Sequence, residues 1–130
     1  MSAVLLDTHI VHWWSAEPGR VSRSARRALE TADELLVAAV SWYELAWLAR
    51  HGRIALDVPI RSWLEDLGAQ VRTISPSPAI ADTAVALPDS FPGDPADRQI
   101  YATAIEHGAK LVTKDQAIAA HDKPRSLVVW

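Results

Sequence analysis

The chain has 130 residues, 49% of them hydrophobic and 22% charged, which is typical of one globular domain and argues against a disordered chain. Cysteine is absent, so disulfides and thiolate metal sites are excluded, and the formal net charge of −3 gives no overall attraction to nucleic acid. No basic leader precedes the first apolar residues and no apolar run approaches the ~20 residues that span a bilayer, so we expect a cytoplasmic protein.

The first predicted element is a strand buried on both faces, the continuous apolar run Ala3 to Leu6. Asp7 follows it directly, at a place where an acid has little structural use. Residues 9–16 predict a short helix that Pro18-Gly19 ends, and Ser22 is the expected cap of a second helix.

The second predicted strand is Leu35 to Val40, and Ser41 is expected to open the helix after it. Ser41 and Glu44 have the capping-box spacing, in which Glu44 bonds back to the Ser41 amide. Glu44 also shares a helix face with Trp47 and so heads a buried stripe, which leaves both roles of this acid open.

The middle of the chain predicts a helix over 60–67, a third strand over 71–74 and a helix between Pro78 and Pro88. We expect at least two of the six tryptophans to be buried in the core, Trp47 and Trp63.

The last third predicts a helix that Asp94 caps, with Asp97 in its first turn and Gly108 as its stop. A short strand over 111–113 follows, and Asp115 comes just after it. A short helix over 116–120 and a last strand over 127–130 complete the chain. The alternation of strands and helices predicts an α/β fold in three layers, with a central parallel sheet of four to five strands.

Several acids follow strands or head the buried faces of helices: Asp7, Glu44, Asp97 and Asp115, with Asp94 in reserve. They should converge at one edge of the sheet, where carboxylates repel each other unless a cation holds them. The arrangement predicts Mg²⁺ or Mn²⁺, and the matching chemistry is hydrolysis of a phosphodiester. Asp94 and Asp115 could instead be helix caps, and Thr113 could support Asp115 through a hydrogen bond.

Four motifs, in this order and spacing, are similar to those of the PIN domain, and most of all to the VapC toxins of type II toxin-antitoxin pairs. They are Leu5-Leu6-Asp7-Thr8, Ser41-x-x-Glu44, Asp94-Pro-Ala-Asp97-Arg98 and Thr113-Lys-Asp115. The resemblance extends over essentially the whole chain, so we expect residues 1–130 to form a single PIN domain. Many relatives carry Asn two places after the first acid, where this chain has His9.

The resemblance implies a Mg²⁺-dependent endoribonuclease that cleaves structured RNA such as tRNA or rRNA. Its catalytic acids fall on Asp7, Glu44, Asp97 and Asp115, which would also bind the metal together with Asp94. It further implies a cognate VapB-type antitoxin and a homodimer. Eight cations would contact RNA: Arg20, Arg23, Arg26, Arg27, Arg50, Arg53, Arg98 and Lys114.

Two alternatives remain open from the sequence. A catalytically inactive PIN scaffold would serve as a protein-binding or RNA-binding module, although it would have no reason to keep four mutually repelling acids. A receiver-like signalling domain needs an acceptor acid after the third strand, where this chain has Ser75-Pro76 and no acid.

Overall fold

The computed structural model describes residues 2–130, which form one sheet covered by helices on both faces. The sheet has five parallel strands: β1 (Ala3–Leu6), β2 (Glu34–Ala38), β3 (Arg72–Ile74), β4 (Lys110–Val112) and β5 (Val128–Val129). The α-helices are α1 (Thr8–Ala16), α2 (Arg23–Thr31), α3 (Ala39–Arg50), α4 (Ile60–Gly68), α5 (Pro78–Ala86), α6 (Pro95–His107) and α7 (Gln116–Ala120). Within the described residues, no helix is both long and apolar enough to cross a membrane.

The strand order is β3-β2-β1-β4-β5, so β1 lies at the centre of the sheet. Its side chains alternate between two cores, as the period of a strand requires. Leu5 packs in the core beneath α5 and α6, whereas Val4 and Leu6 pack in the core beneath α1 to α4. The predicted three-layer α/β fold is therefore confirmed.

The start of α3 differs from the prediction. The helix begins at Ala39, and Ser41 is fully buried inside it, so Ser41 is not a cap and the capping box does not form. Trp47 on the same helix is 42% exposed, which makes the expectation of a buried Trp47 wrong, while Trp63 packs partly buried against the core.

Arg98 in α6 fixes the segment between α5 and α6. All five N–H donors of its guanidinium reach backbone carbonyls, those of Ala84, Leu87, Pro88, Phe91 and Pro92. The loop that leads to Asp94 is thereby bound to the first turn of α6. Because no donor remains free, Arg98 is not available as the RNA contact that the sequence suggested.

A buried carboxylate attaches the C-terminal strand to the same helix. Asp122 accepts hydrogen bonds from the Tyr101 hydroxyl at 2.7 Å and from the backbone amides of Leu127 and Val128 at 2.9 and 2.7 Å. Burial and the Asp122 carboxylate raise the pKa of Tyr101 to about 12, so its hydroxyl stays protonated and donates. These contacts fix the place where β5 begins, beside β4.

Candidate active site

The candidate site lies where the order of the strands changes direction. From β1 the chain adds β2 and β3 on one side and then returns to place β4 on the other. Ligands of open parallel sheets bind at such a point, beyond the carboxyl ends of the two strands. Asp7 follows β1 and Asp115 comes three residues after β4 ends, so the topology brings these two predicted acids to the same crevice.

Asp7 is held by hydrogen bonds on both of its oxygens. Oδ1 accepts from the backbone N–H of Thr8 at 2.8 Å, and Oδ2 accepts from the Thr113 hydroxyl at 2.6 Å. The acid is thus the N-cap of α1, so the expectation that it has little structural use is wrong. Burial nevertheless raises the pKa of Asp7, because these two hydrogen bonds only partly offset the loss of water.

Glu44 projects from α3 to the same place and is held by Thr8, which belongs to the first motif but had no predicted role. The Thr8 hydroxyl donates to Glu44 Oε1 at 2.5 Å and lies 3.0 Å from the hydroxyl of the buried Ser41. Burial raises the pKa of Glu44, and the charges of Asp94 and Asp7 add to this effect. The signal for Thr8 was a hydroxyl next to the first acid, but only the fold shows which carboxylate it reaches.

Asp94 and Asp97 have different environments at the start of α6. Asp94 is exposed and caps the helix, accepting from the Ala96 amide at 2.9 Å. Asp97 is half-buried, and within residues 2–130 no hydrogen bond to its carboxylate is present. Burial raises the pKa of Asp97 to about 7, and the charges of Asp7, Asp94, Asp115 and Glu44 contribute as well.

Asp115 has a dual position. Its Oδ1 accepts from the amides of Ala117 and Ile118 and caps α7, as the sequence allowed. Its own amide donates to the Thr113 hydroxyl at 3.0 Å, and that hydroxyl donates in turn to Asp7. Thr113 therefore joins two of the predicted acids, rather than supporting Asp115 alone.

All five predicted acids line one cavity of about 820 Å³. In the part of the chain that the structure describes, no ion pair links any of them to a cation. As the side chains stand, no group of three or more acids or histidines within residues 2–130 is placed to hold a metal ion. Asp7, Glu44, Asp94 and Asp115 each accept hydrogen bonds, and their carboxylates keep further lone pairs for a cation.

The chemistry of the cavity suits a divalent cation. Its acidic residues offer only oxygen ligands, which Mg²⁺ and Mn²⁺ prefer, and the raised pKa values of Asp7, Glu44 and Asp97 show that their negative charge is poorly compensated. A cation would compensate it. The residues present therefore fit the metal that the sequence predicts.

Comparison with known proteins identifies the fold and the family. A family model described as "PIN domain" matches residues 4–124. The solved structure "Toxin-antitoxin complex from Klebsiella pneumoniae" has a TM-score of 0.69 at 23% identity, over 98% of this chain and 96% of that one. The solved structure "Crystal structure of VapBC2 from Rickettsia felis bound to a DNA fragment from their promoter" has a TM-score of 0.69 at 17% identity, over 97% of this chain and 96% of that one.

A sequence relative adds the activity. The chain is 61% identical over 130 residues to "Ribonuclease VapC22" of Mycobacterium tuberculosis, and the match covers 100% of both proteins. The chain therefore belongs to the PIN-domain family, as a ribonuclease of the VapC group.

Proposed function

We propose that this chain is a Mg²⁺-dependent endoribonuclease, with Mn²⁺ as an alternative ion, whose catalytic acids are Asp7, Glu44, Asp97 and Asp115. The observation that carries the proposal is the convergence of these acids in one cavity at the switch point of the sheet, without a cationic partner among the described residues. A metal ion bound there would lower the pKa of a water molecule and stabilise charge on the phosphoryl oxygens.

The protein's own residues supply position and charge. Asp7, Glu44, Asp97 and Asp115 would hold the metal, and Asp94 would act as an accessory ligand because it is exposed and already caps α6. The hydroxyls of Thr113 and Thr8 orient Asp7 and Glu44, respectively. Asp97 has no hydrogen bond among residues 2–130, so its carboxylate is the one most free to take a metal ion.

The proposed substrate and partners are those that the family resemblance implies. We propose that the single domain, residues 1–130, acts in the cytoplasm on structured RNA such as tRNA or rRNA. A cognate VapB-type antitoxin would neutralise it, and the active form would be a homodimer. The similar fold of "Toxin-antitoxin complex from Klebsiella pneumoniae" supports the antitoxin, and co-purification with the candidate antitoxin, together with sedimentation of the toxin alone, tests both partners.

The decisive experiment is cleavage of total cellular RNA by the purified protein with Mg²⁺, with EDTA, and with Asp7→Asn. Asp82→Asn is the matched control, because Asp82 is an exposed acid on α5 outside the cavity. We expect discrete fragments from the wild type and from Asp82→Asn only when metal is present, and sequencing of the fragment ends would name the substrate. Intact RNA in every lane, with antitoxin absent, would support the inactive-scaffold alternative instead.

A further inference from the structure

On one rim of the acidic cavity, the side chain of a lysine lies over the ring of a tryptophan. Lys114 and Trp13 both line the cavity, and Lys114 Nζ lies 5.8 Å from the Trp13 ring centroid and 6.0 Å from that of Trp130. The guanidinium of Arg20 lies 4.4 Å from the Trp13 ring. These cation–π contacts hold two positive charges at one place beside the acids.

Lys114 is the one Lys or Arg among the residues that line the cavity. Although Asp115 follows it directly in the sequence, no ion pair joins the two within the described chain. Its ammonium is therefore free to meet a negative charge from another molecule.

The other rim is aromatic. Tyr43 and Trp47 of α3 also line the cavity, with 72% and 42% of their surfaces exposed. One neighbour already stacks on the indole: His51 lies 3.9 Å from Trp47 between ring centroids, with 18° between the ring planes. Arg53 lies 5.9 Å from the same ring. The exposed indole is thus a fixed, flat surface with a cation next to it.

The order of the strands places these rims on opposite sides of Asp7. Lys114 and Trp130 follow β4 and β5 on one side of the central strand, whereas α3 follows β2 on the other. A chain that passes from one rim to the other must therefore cross the acids.

We propose that an unpaired RNA segment crosses the cavity with a phosphate on Lys114 and a base stacked on Trp47, and this proposal rests on the proposed ribonuclease function. The acids would repel any phosphate that no metal neutralises. The direct contact with a phosphate would therefore be made by Lys114 on the rim. A base can stack on an exposed indole only when it is not stacked within a duplex. The charge of Lys114 and Arg53 beside both tryptophan clusters favours RNA over an apolar protein segment as the occupant.

The test separates charge from stacking by their different dependence on salt. Asp7→Asn serves as the parent protein so that the RNA is not consumed, and the probe is a fluorescein-labelled oligoadenylate, either single-stranded or annealed to its complement. Fluorescence anisotropy gives Kd between about 50 and 200 mM salt, the range in which counterion release is prominent. Circular dichroism and melting temperatures establish that each variant is folded.

Replacing Lys114 should change the salt dependence. For Lys114→Ala, we expect the slope of log affinity against log salt to fall in magnitude by about 0.7, the value for one phosphate contact on a single strand. Lys114→Arg should keep the parent slope. Lys123→Ala is the matched control, because it removes the same charge from an exposed residue outside the cavity and should leave the slope unchanged.

Replacing Trp47 should change affinity without changing that slope. We expect Trp47→Leu, which keeps an apolar side chain but no aromatic ring, to weaken single-strand binding by about tenfold or more. Trp47→Phe should retain most of the affinity, and duplex binding should be weaker than single-strand binding and insensitive to either change.

The outcomes distinguish this inference from the function on which it rests. If wild-type protein cleaves RNA with Mg²⁺ but Lys114→Ala and Trp47→Leu bind the single strand like the parent, the inference is overturned and the nuclease stands. If Trp47→Leu spares RNA binding and instead weakens self-association in sedimentation, the aromatic rim is a protein interface and the stacking role is overturned. If wild type cleaves no RNA under any condition, the proposed function itself fails.

Discussion

Asp97 is the residue whose pKa most clearly reports the repulsion among the acids of the cavity. Burial and its neighbours raise its pKa from 3.8 to about 7, so the folded protein holds this proton more tightly than the unfolded chain does. The stability linked to this group is therefore fully present below the unfolded pKa and is lost as pH rises through about 7.

We therefore expect the melting temperature of the metal-free protein to fall as pH rises from about 4 to about 7. Asp97→Asn, which carries no charge at this position, should show a smaller fall and should melt above the wild type at the higher pH. Asp82→Asn, an exposed acid on α5, should follow the wild type throughout. Identical pH profiles for Asp97→Asn and wild type would contradict the assignment of the raised pKa to Asp97.

Thr113 allows a second test at the scale of one hydroxyl. This side chain is 1% exposed and links the Asp7 carboxylate to the Asp115 amide. Thr113→Val keeps the shape but leaves both partners without it, so we expect a loss of about 1–3 kcal/mol in the free energy of unfolding. Loss of a residue that orients a metal ligand typically weakens metal binding, so we also expect the metal affinity of Thr113→Val to fall by about 10–100-fold.

Thr103→Val is the appropriate comparison for this variant. Thr103 is equally buried, but its hydroxyl donates to the Gln99 carbonyl within α6 and does not reach the acids. Urea denaturation and titration with Mn²⁺ would measure the two effects separately. A Thr113→Val protein that loses stability but binds metal like Thr103→Val would show that Thr113 has only a structural role.

At the scale of elements, the connection between α5 and α6 depends on a single side chain. The Arg98 guanidinium binds five backbone carbonyls, which Lys cannot imitate because its ammonium has only three donors at one point. We expect Arg98→Lys to lower the free energy of unfolding by on the order of 2 kcal/mol, a typical value for the loss of charged hydrogen bonds. Arg23→Ala, which changes an exposed residue, is the control. Faster proteolysis within residues 88–94 of Arg98→Lys than within the same residues of Arg23→Ala would locate the effect in this loop.

Local sequence signals predicted most elements because the buried runs and caps of this chain are regular. Ala3 to Leu6, the Asp94 cap and the Gly108 stop all lie where the pattern placed them, and Gly108 takes the left-handed φ of 59° that such a stop uses. The capping box at Ser41 failed because Ala39 and Val40 already continue the helix, so Ser41 is buried in the first turn.

Other features depend on tertiary contacts and could not be predicted from local pattern. The convergence of the acids was predictable, since the carboxyl ends of parallel strands share one edge. The strand order and the reach of the Thr8 hydroxyl to Glu44 depend on how distant segments pack. Trp47 was expected in the core, but its position on the cavity rim leaves it 42% exposed.

At the scale of the whole molecule, a net charge of −3 gives no overall attraction to RNA, so we expect a cation bound at the acidic cavity to strengthen RNA binding. We expect Mg²⁺ to raise the melting temperature of wild type near pH 8, with a stabilisation of about 2.7 kcal/mol when the free ion is at about 100 times its Kd. Asp82→Asn should shift equally. Asp7→Asn should remain folded, since Asn also caps a helix well, but it should shift much less.

RNA binding by the same samples gives an independent check of this expectation. The anisotropy of labelled single-stranded RNA, read on mixing and before cleavage proceeds, should show affinity rising on adding Mg²⁺ to Asp82→Asn and rising less for Asp7→Asn. Equal enhancement of RNA binding in both variants would show that the metal acts on the RNA alone and that the acidic cavity takes no part.

The attachment of the C-terminal strand by Asp122 has a practical consequence for work with this protein. Because Asp122 holds the amides of Leu127 and Val128, Trp130 emerges next to Trp13 and Lys114 at the mouth of the cavity. A purification tag or fluorescent fusion joined after Trp130 would start at that mouth and obstruct it. Fusions placed before Ser2, whose exposed backbone pairs with Asp33 at the opposite end of β1, leave the mouth clear.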